Sequence, residues 1–173
     1  MHYQGGKYRF IKHITPIIQA EIDKHQARHF ISPFCGACNI ESAIVHADKT
    51  CNERMMNAGL KHAVFTAGDY RDVEIPPDTV MYCDPPFANT LEYDGAKGFN
   101  PAEFWAYMDE LLDNTPNLSI FVSEQTAPSG WREVWQKECL QEVNKNPKDI
   151  GRRRIERLFY KSNREEQDGH IET

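Results

Sequence analysis

No apolar run in this 173-residue chain approaches the roughly 20 residues that a membrane-spanning helix requires. The opening stretch, Met1-His2-Tyr3-Gln4-Gly5-Gly6-Lys7, also lacks the apolar core of a signal peptide, so neither a membrane location nor export is expected. Cysteine is sparse. The five, at positions 35, 38, 51, 83 and 139, are odd in number and scattered, as expected of reduced thiols in a cytoplasmic protein. Cys35 and Cys38 have CxxC spacing but no second pair follows, so no metal site is expected. Basic residues are outnumbered: 20 Lys and Arg face 26 Asp and Glu, and the net charge of −6 opposes indiscriminate binding to nucleic acid. Repeats and low-complexity tracts are absent.

A hydrophobic content of 40% with 11% aromatic residues is that of a globular domain. The length suits one domain, placed at 1–161, with a polar tail at 162–173. Phe10, Ile14, Ile17, Ile18 and Ile22 recur at helical spacing and predict an amphipathic helix over about 7–24. Five strand-like runs follow, at about 30–34, 44–47 (ending at Asp48), 63–67, 80–83 and 118–122. Helices are expected near 39–43, at 53–60, after Asn100-Pro101-Ala102-Glu103, and at 131–137. Two last strands, about 139–143 and 155–160, form a hairpin. This order predicts an α/β fold: a mostly parallel, doubly wound sheet with helices on both faces and a C-terminal antiparallel hairpin.

The most informative segment is Asp84-Pro85-Pro86-Phe87, directly after the apolar run Val80-Met81-Tyr82-Cys83. It therefore falls at the carboxyl end of a buried strand, the edge where open α/β sheets bind ligands. A carboxylate, two prolines that stiffen the backbone and expose carbonyl acceptors, and an aromatic face suit a flat nitrogenous ring bearing an amino group. An Asp-Pro turn explains the segment alone, but other strand ends carry related residues. Phe34 and Gly36 lie in the turn after the first strand, where glycine permits close approach of a ligand. Asp48 is expected to end the second strand, where acidic side chains bind ribose hydroxyls. Asp69, beside Tyr70, ends the third, where a carboxylate can accept from an adenine amine. Arg152, Arg153 and Arg154, near Lys145 and Lys148, make the last quarter locally basic, either a solvated hairpin face or a phosphate-binding surface.

Three segments in order resemble the Dam-like, D12 class of DNA adenine-N6 methyltransferases. Gln4-Gly5-Gly6-Lys7 resembles its P-G-G-K segment, and Ser32-Pro33-Phe34-Cys35-Gly36-Ala37-Cys38 its E-P-F-x-G-x-G loop. Asp84-Pro85-Pro86-Phe87 resembles its catalytic D-P-P-Y. The run Phe121 to Pro128 is similar to the matching strand of phage or prophage members. The resemblance implies a Rossmann-like methyltransferase fold and methyl transfer from S-adenosylmethionine to N6 of adenine in DNA, as in restriction-modification enzymes. It also implies that Tyr3, Gln4 and Lys7 close over the cofactor, that Phe34 and Gly36 line its amino-acid end, that Asp48 binds its ribose, and that Asp69 and Tyr70 hold its adenine. Asp84 and Pro85 would hold the target amine, with Pro86 stiffening the loop and Phe87 stacking on a flipped base. One departure stands out. Residues 49–83 are all that separates Asp48 from Asp84, leaving no room for the recognition domain that this class inserts there. DNA recognition would then be impaired or supplied by a partner chain. A catalytically degenerate cofactor-binding remnant or interaction module, and an RNA N-methyltransferase, stand as alternatives.

Overall fold

A computed structural model of the chain describes residues 7–36, 38–44, 48–51, 63–86, 98–140 and 153–165. The expected helix at 53–60, the hairpin connection, Tyr3, Gln4, Phe87 and Arg152 lie outside the described residues.

A 3-10 turn, Lys7–Phe10, leads into α1, Ile11–His25. Ile14, Ile18 and Ile22 form the buried stripe that their spacing predicts. The strands are β1 (His29–Ser32), β2 (Asp48–Cys51), β3 (Ala63–Phe65), β4 (Thr79–Cys83), β5 (Ser119–Glu124), β6 (Arg132–Leu140) and β7 (Arg153–Ser162). Between β4 and β5 lies α2, Pro101–Asn114. Asn100 caps it, accepting from the Ala102 amide at 3.0 Å, while its side-chain amide donates to Glu103 at 2.8 Å. This is the helix start that the sequence predicts.

The seven strands form one sheet in the order β3-β2-β1-β4-β5-β7-β6. β1 to β5 run parallel, and β7 is antiparallel to both β5 and β6. Strand order reverses between β1 and β4, the switch point that opens a ligand crevice at the carboxyl edge. This is a Rossmann-like arrangement, a parallel sheet extended at one edge by a C-terminal antiparallel hairpin. Period-two alternation divides the core between the two faces. Val80 and Tyr82 of β4, with Phe30, Phe121 and Leu158, pack under α1. Met81 and Cys83, with Ile31, Ile120 and Val122, pack under Phe104, Trp105, Met108 and Leu112 of α2.

Two expectations require correction. The second strand starts at Asp48 instead of ending there: Asp48 pairs with His29, the first residue of β1, at the amino end of the ladder. Ile44, which opened the expected strand, instead plugs the α1-side core after a 3-10 turn at Glu41–Ala43. Apolar character there reflects a core contact outside the sheet. The expected helix at 131–137 is β6. A bulge between Glu133 and Trp135 breaks the period-two pattern, making the consecutive Val134 and Trp135 both half-buried and imitating helical spacing. Past β7, Asn163 donates to the Thr115 carbonyl at 2.7 Å and Arg164 to the Thr79 carbonyl at 3.1 Å.

Candidate active site

Asp84 emerges from β4 directly beside the end of β1, because Ile31 pairs with Met81 in the parallel ladder. The neighbouring turn at 33–36 begins where Pro33 removes a ladder donor. Gly36 has φ 50°, a left-handed conformation that glycine adopts without penalty. Cys38, at the second glycine position of the resembling loop, takes φ 52°, and its amide donates to the Cys35 carbonyl at 2.7 Å.

A chain of buried charges converges on Asp84. Lys7 Nζ lies 3.0 Å from Asp84 Oδ1 and 3.2 Å from Glu156 Oε2, and Arg154 Nε lies 3.0 Å from Glu156 Oε1. The Lys7 side chain is 5% exposed and that of Asp84 20%. Burial pushes the Lys7 ammonium down, but the two carboxylates outweigh it, and its pKa rises. Burial pushes Asp84 up, against the opposing pull of Lys7, and its pKa also rises. Two anions face the Lys7 ammonium, which stays charged.

A second buried acid lies alongside. Ser32 Oγ donates to Glu41 Oε1 at 2.6 Å, and burial, opposed by that hydrogen bond and reinforced by the charge of Asp84, pushes Glu41 up to about 7. Beneath Asp84, Tyr82 shares a hydrogen bond with Ser123 at 3.0 Å.

Aromatic faces border the site. Phe34 and Tyr70 have ring centroids 5.2 Å apart, and Phe99, Phe104 and Tyr107 extend the cluster. Phe34 and Tyr70, expected at opposite ends of a cofactor, are thus in direct ring contact. Asp69 makes a different set of contacts. Its two carboxylate oxygens accept from Arg71 Nε and Nη2 at 2.8 and 2.9 Å, and the Arg71 amide adds a third bond. This guanidinium holds Asp69 at about 2. Asp48, at the amino end of β2, stands a strand length from the carboxyl edge. A cavity of about 520 Å³, lined by residues that include His29, Ile31, Asp69 and Pro76, reaches Asp69 but not Asp84, Lys7 or Phe34. The convergent charges mark the site better than open volume does.

The expected basic face divides in two. Arg153 is exposed and pairs with Glu138 at 3.3 Å. Arg154, one residue on, turns inward to Glu156 because alternate strand residues face opposite sides. Glu156 and Glu41 escaped sequence reasoning. For Glu156 the available signal was an acid at the same strand parity as Leu158, which is fully buried. Glu41 had no comparable signal.

Residues 3–52 match the family model described as D12 class N6 adenine-specific DNA methyltransferase. The D12 match includes Lys7, Phe34, Gly36 and Glu41 and ends before Asp84. It implies S-adenosylmethionine as the cofactor. No curated protein matches the chain. Among solved structures, the chain is similar to "Putative methyltransferase yhhF from Escherichia coli", at 16% identity and TM-score 0.49 over 91% of this chain and 86% of that one. It is also similar to the precorrin-6y C5,15-methyltransferase of Geobacter metallireducens GS-15, at 8% identity and TM-score 0.42 over 85% of this chain and 88% of that one. Among the described residues, no cluster of three or more His, Cys, Asp and Glu side chains can hold a metal ion, and no helix is long and apolar enough to cross a membrane.

Proposed function

We propose that this chain transfers a methyl group from S-adenosylmethionine to N6 of adenine in DNA. The observation that carries this reading is the convergence of Asp84, Lys7 and the Ser32 to Gly36 turn at the switch point of the sheet. The donor set fits the cofactor. Phe34 and Tyr70 offer aromatic faces to a nucleoside, Gly36 allows close approach, and acidic groups suit a cationic sulfonium. Phe34, Gly36 and Tyr70 would hold it, assisted by Tyr3, Gln4 and Lys7, and by Asp69 at its nucleoside end; Asp48, at the amino end of β2, lies too far from that edge to bind the ribose. When bound, S-adenosylmethionine supplies an electrophilic methyl group and leaves as a neutral thioether.

The protein's task is orientation. The lone pair of adenine N6 is delocalised into the ring, so the amine must be held in a geometry that frees it. The Asp84 carboxylate and the Pro85 carbonyl accept its two N–H bonds, and Pro86 keeps the loop stiff. Alignment of this kind is worth several kcal/mol, about 7–11 at its limit. The carboxylate also stabilises positive charge developing on N6 until the surplus proton passes to water. The target base must leave its stack to reach Asp84, and Phe87 supplies an aromatic face for it.

A second reading has its own support, since residues 49–83 leave no room for an inserted recognition domain. The chain would then bind the cofactor without methylating DNA unaided, or would act on RNA. A labelled-methyl transfer assay on duplex DNA, single-stranded DNA and RNA separates these. Label in N6-methyladenine of DNA supports the first reading, label confined to RNA overturns it, and cofactor binding without transfer supports the remnant.

A further inference from the structure

We propose that Glu156 is a positioning residue for the methyl-transfer site: it holds the Lys7 ammonium against Asp84 and so fixes the orientation and charge of the carboxylate that receives the amine. This inference rests on the reading of Asp84 as the group that binds the target amine.

Glu156 uses its two oxygens for two cations. Oε1 meets Arg154 at 3.0 Å and Oε2 meets Lys7 at 3.2 Å, while Lys7 reaches on to Asp84 Oδ1 at 3.0 Å. The chain of contacts joins the 3-10 turn at the start of the fold, the loop after β4 and the last strand, β7. A lysine side chain has a long flexible stem, and a single ion pair leaves much of its rotamer freedom in place. Anchoring the ammonium between carboxylates from two separate elements, nearly out of solvent, removes that freedom. A simple charge-neutralising pair would need only one carboxylate. The second acid costs desolvation, which is offset here because Arg154 completes two cations against two anions.

The arrangement also divides the work of the Asp84 carboxylate. Among the described residues, its ion pair is made at Oδ1, leaving Oδ2 for the substrate N–H. Misplacing a reacting group by about 1 Å can cost about a hundredfold in rate, so an anchor that does not touch substrate still controls the chemistry. Among the described residues, the charged and titratable groups facing this cluster are Lys7, Glu41, Tyr82, Cys83, Arg154 and Glu156, with Cys139 of β6 beside the last two and Arg9 near Cys139.

The full chain tests this with Glu156→Gln and Lys7→Met, read by carbon-13 carboxyl NMR of Asp84 and by methyl transfer as a function of pH. In Glu156→Gln, loss of the neighbouring anion should lower the Asp84 titration midpoint. The turnover number should fall about tenfold or more, while the Kd for S-adenosylmethionine stays within about twofold. In Lys7→Met the Asp84 midpoint should rise, and Lys7→Arg should restore part of the wild-type value. An Asp84 midpoint and pH profile unchanged by Glu156→Gln would overturn the proposal, as would a turnover loss with no pH shift. If one substitution unfolds the chain, the midpoint in the other decides alone. Midpoints that move as expected in a protein that methylates no nucleic acid would support the clamp and reject the methyl-transfer reading.

Discussion

Ser32 donates its hydroxyl hydrogen to Glu41 at 2.6 Å, joining the last residue of β1 to an acid buried to 2% exposure beside the Asp84 carboxylate. The pair gives the fold a pH dependence. Unfolded, the Glu41 carboxyl titrates near 4.5; folded, near 7. Between those values the folded chain keeps a proton that the unfolded chain has released. The stabilisation is therefore complete below about 4.5 and is lost as pH rises through about 7, a change on the order of 3 kcal/mol. Glu41→Gln should remove this component. Urea unfolding of both proteins between pH 4.5 and 8 should show the difference between them changing by roughly that amount; parallel curves would show that Glu41 is not protonated in the fold.

Ser32 and Glu41 also illustrate what the sequence could and could not reveal. Ser32 lies in a loop recognisable from its Pro33, Phe34 and Gly36, whereas Glu41 becomes important only because Ile40 and Ile44 turn their shared segment into the core. The Asp84 tetrapeptide was legible because a buried apolar strand precedes it. The β2 boundary was not, since Asp-Lys-Thr-Cys carries no apolar signature and the neighbouring Ile44 does. β6 was misread through its bulge, and Arg154 through a parity that only the register of β7 determines. Local pattern reports burial well. It does not say which elements meet, and the Lys7, Asp84 and Glu156 cluster is assembled entirely by long-range topology.

Asp84→Asn tests the chemistry itself. The amide retains the shape but exchanges one acceptor for a donor and removes the negative charge. Transfer should fall by at least about a hundredfold, in line with removal of an electrostatic stabiliser, while calorimetry finds S-adenosylmethionine bound as before. Because burial raises the pKa of Asp84, the acidic limb of the wild-type rate should lie above the ordinary value of 3.8, with activity lost as pH falls through it. An activity indifferent to both changes would remove Asp84 from the mechanism.

The aromatic border predicts a separable effect on cofactor binding. Phe34→Leu keeps most of the apolar volume but gives up ring contacts with Tyr70, Phe99 and Phe104. Such pairs are worth about 0.5–1.5 kcal/mol beyond the area they bury. The Kd for S-adenosylmethionine should rise about three- to tenfold if the cofactor shares this face, with a smaller change in turnover at saturation. Unaltered affinity would place the nucleoside elsewhere, and the cavity beside Asp69 would become the next candidate.

Neighbouring arginines on β7 should behave oppositely. Arg153 is 76% exposed at its side chain, and its pair with Glu138 is a surface contact, so Arg153→Ala should alter stability by no more than about 0.5 kcal/mol. Arg154 is 17% exposed and faces a carboxylate that is 10% exposed. Removing it leaves two anions to one cation in the buried cluster, and Arg154→Ala should destabilise the fold by roughly 2–3 kcal/mol, somewhat less than loss of a wholly buried pair because Lys7 still contacts Glu156. DNA binding distinguishes them further. If the hairpin contacts phosphates, Arg153→Ala should reduce the slope of affinity against salt by about one unit, and Arg154→Ala, whose charge is already used inside the fold, should leave that slope as it was. Equal effects of the two substitutions on both stability and salt slope would mean that β7 presents both arginines to solvent, and the clamp on Lys7 would lose its second cation.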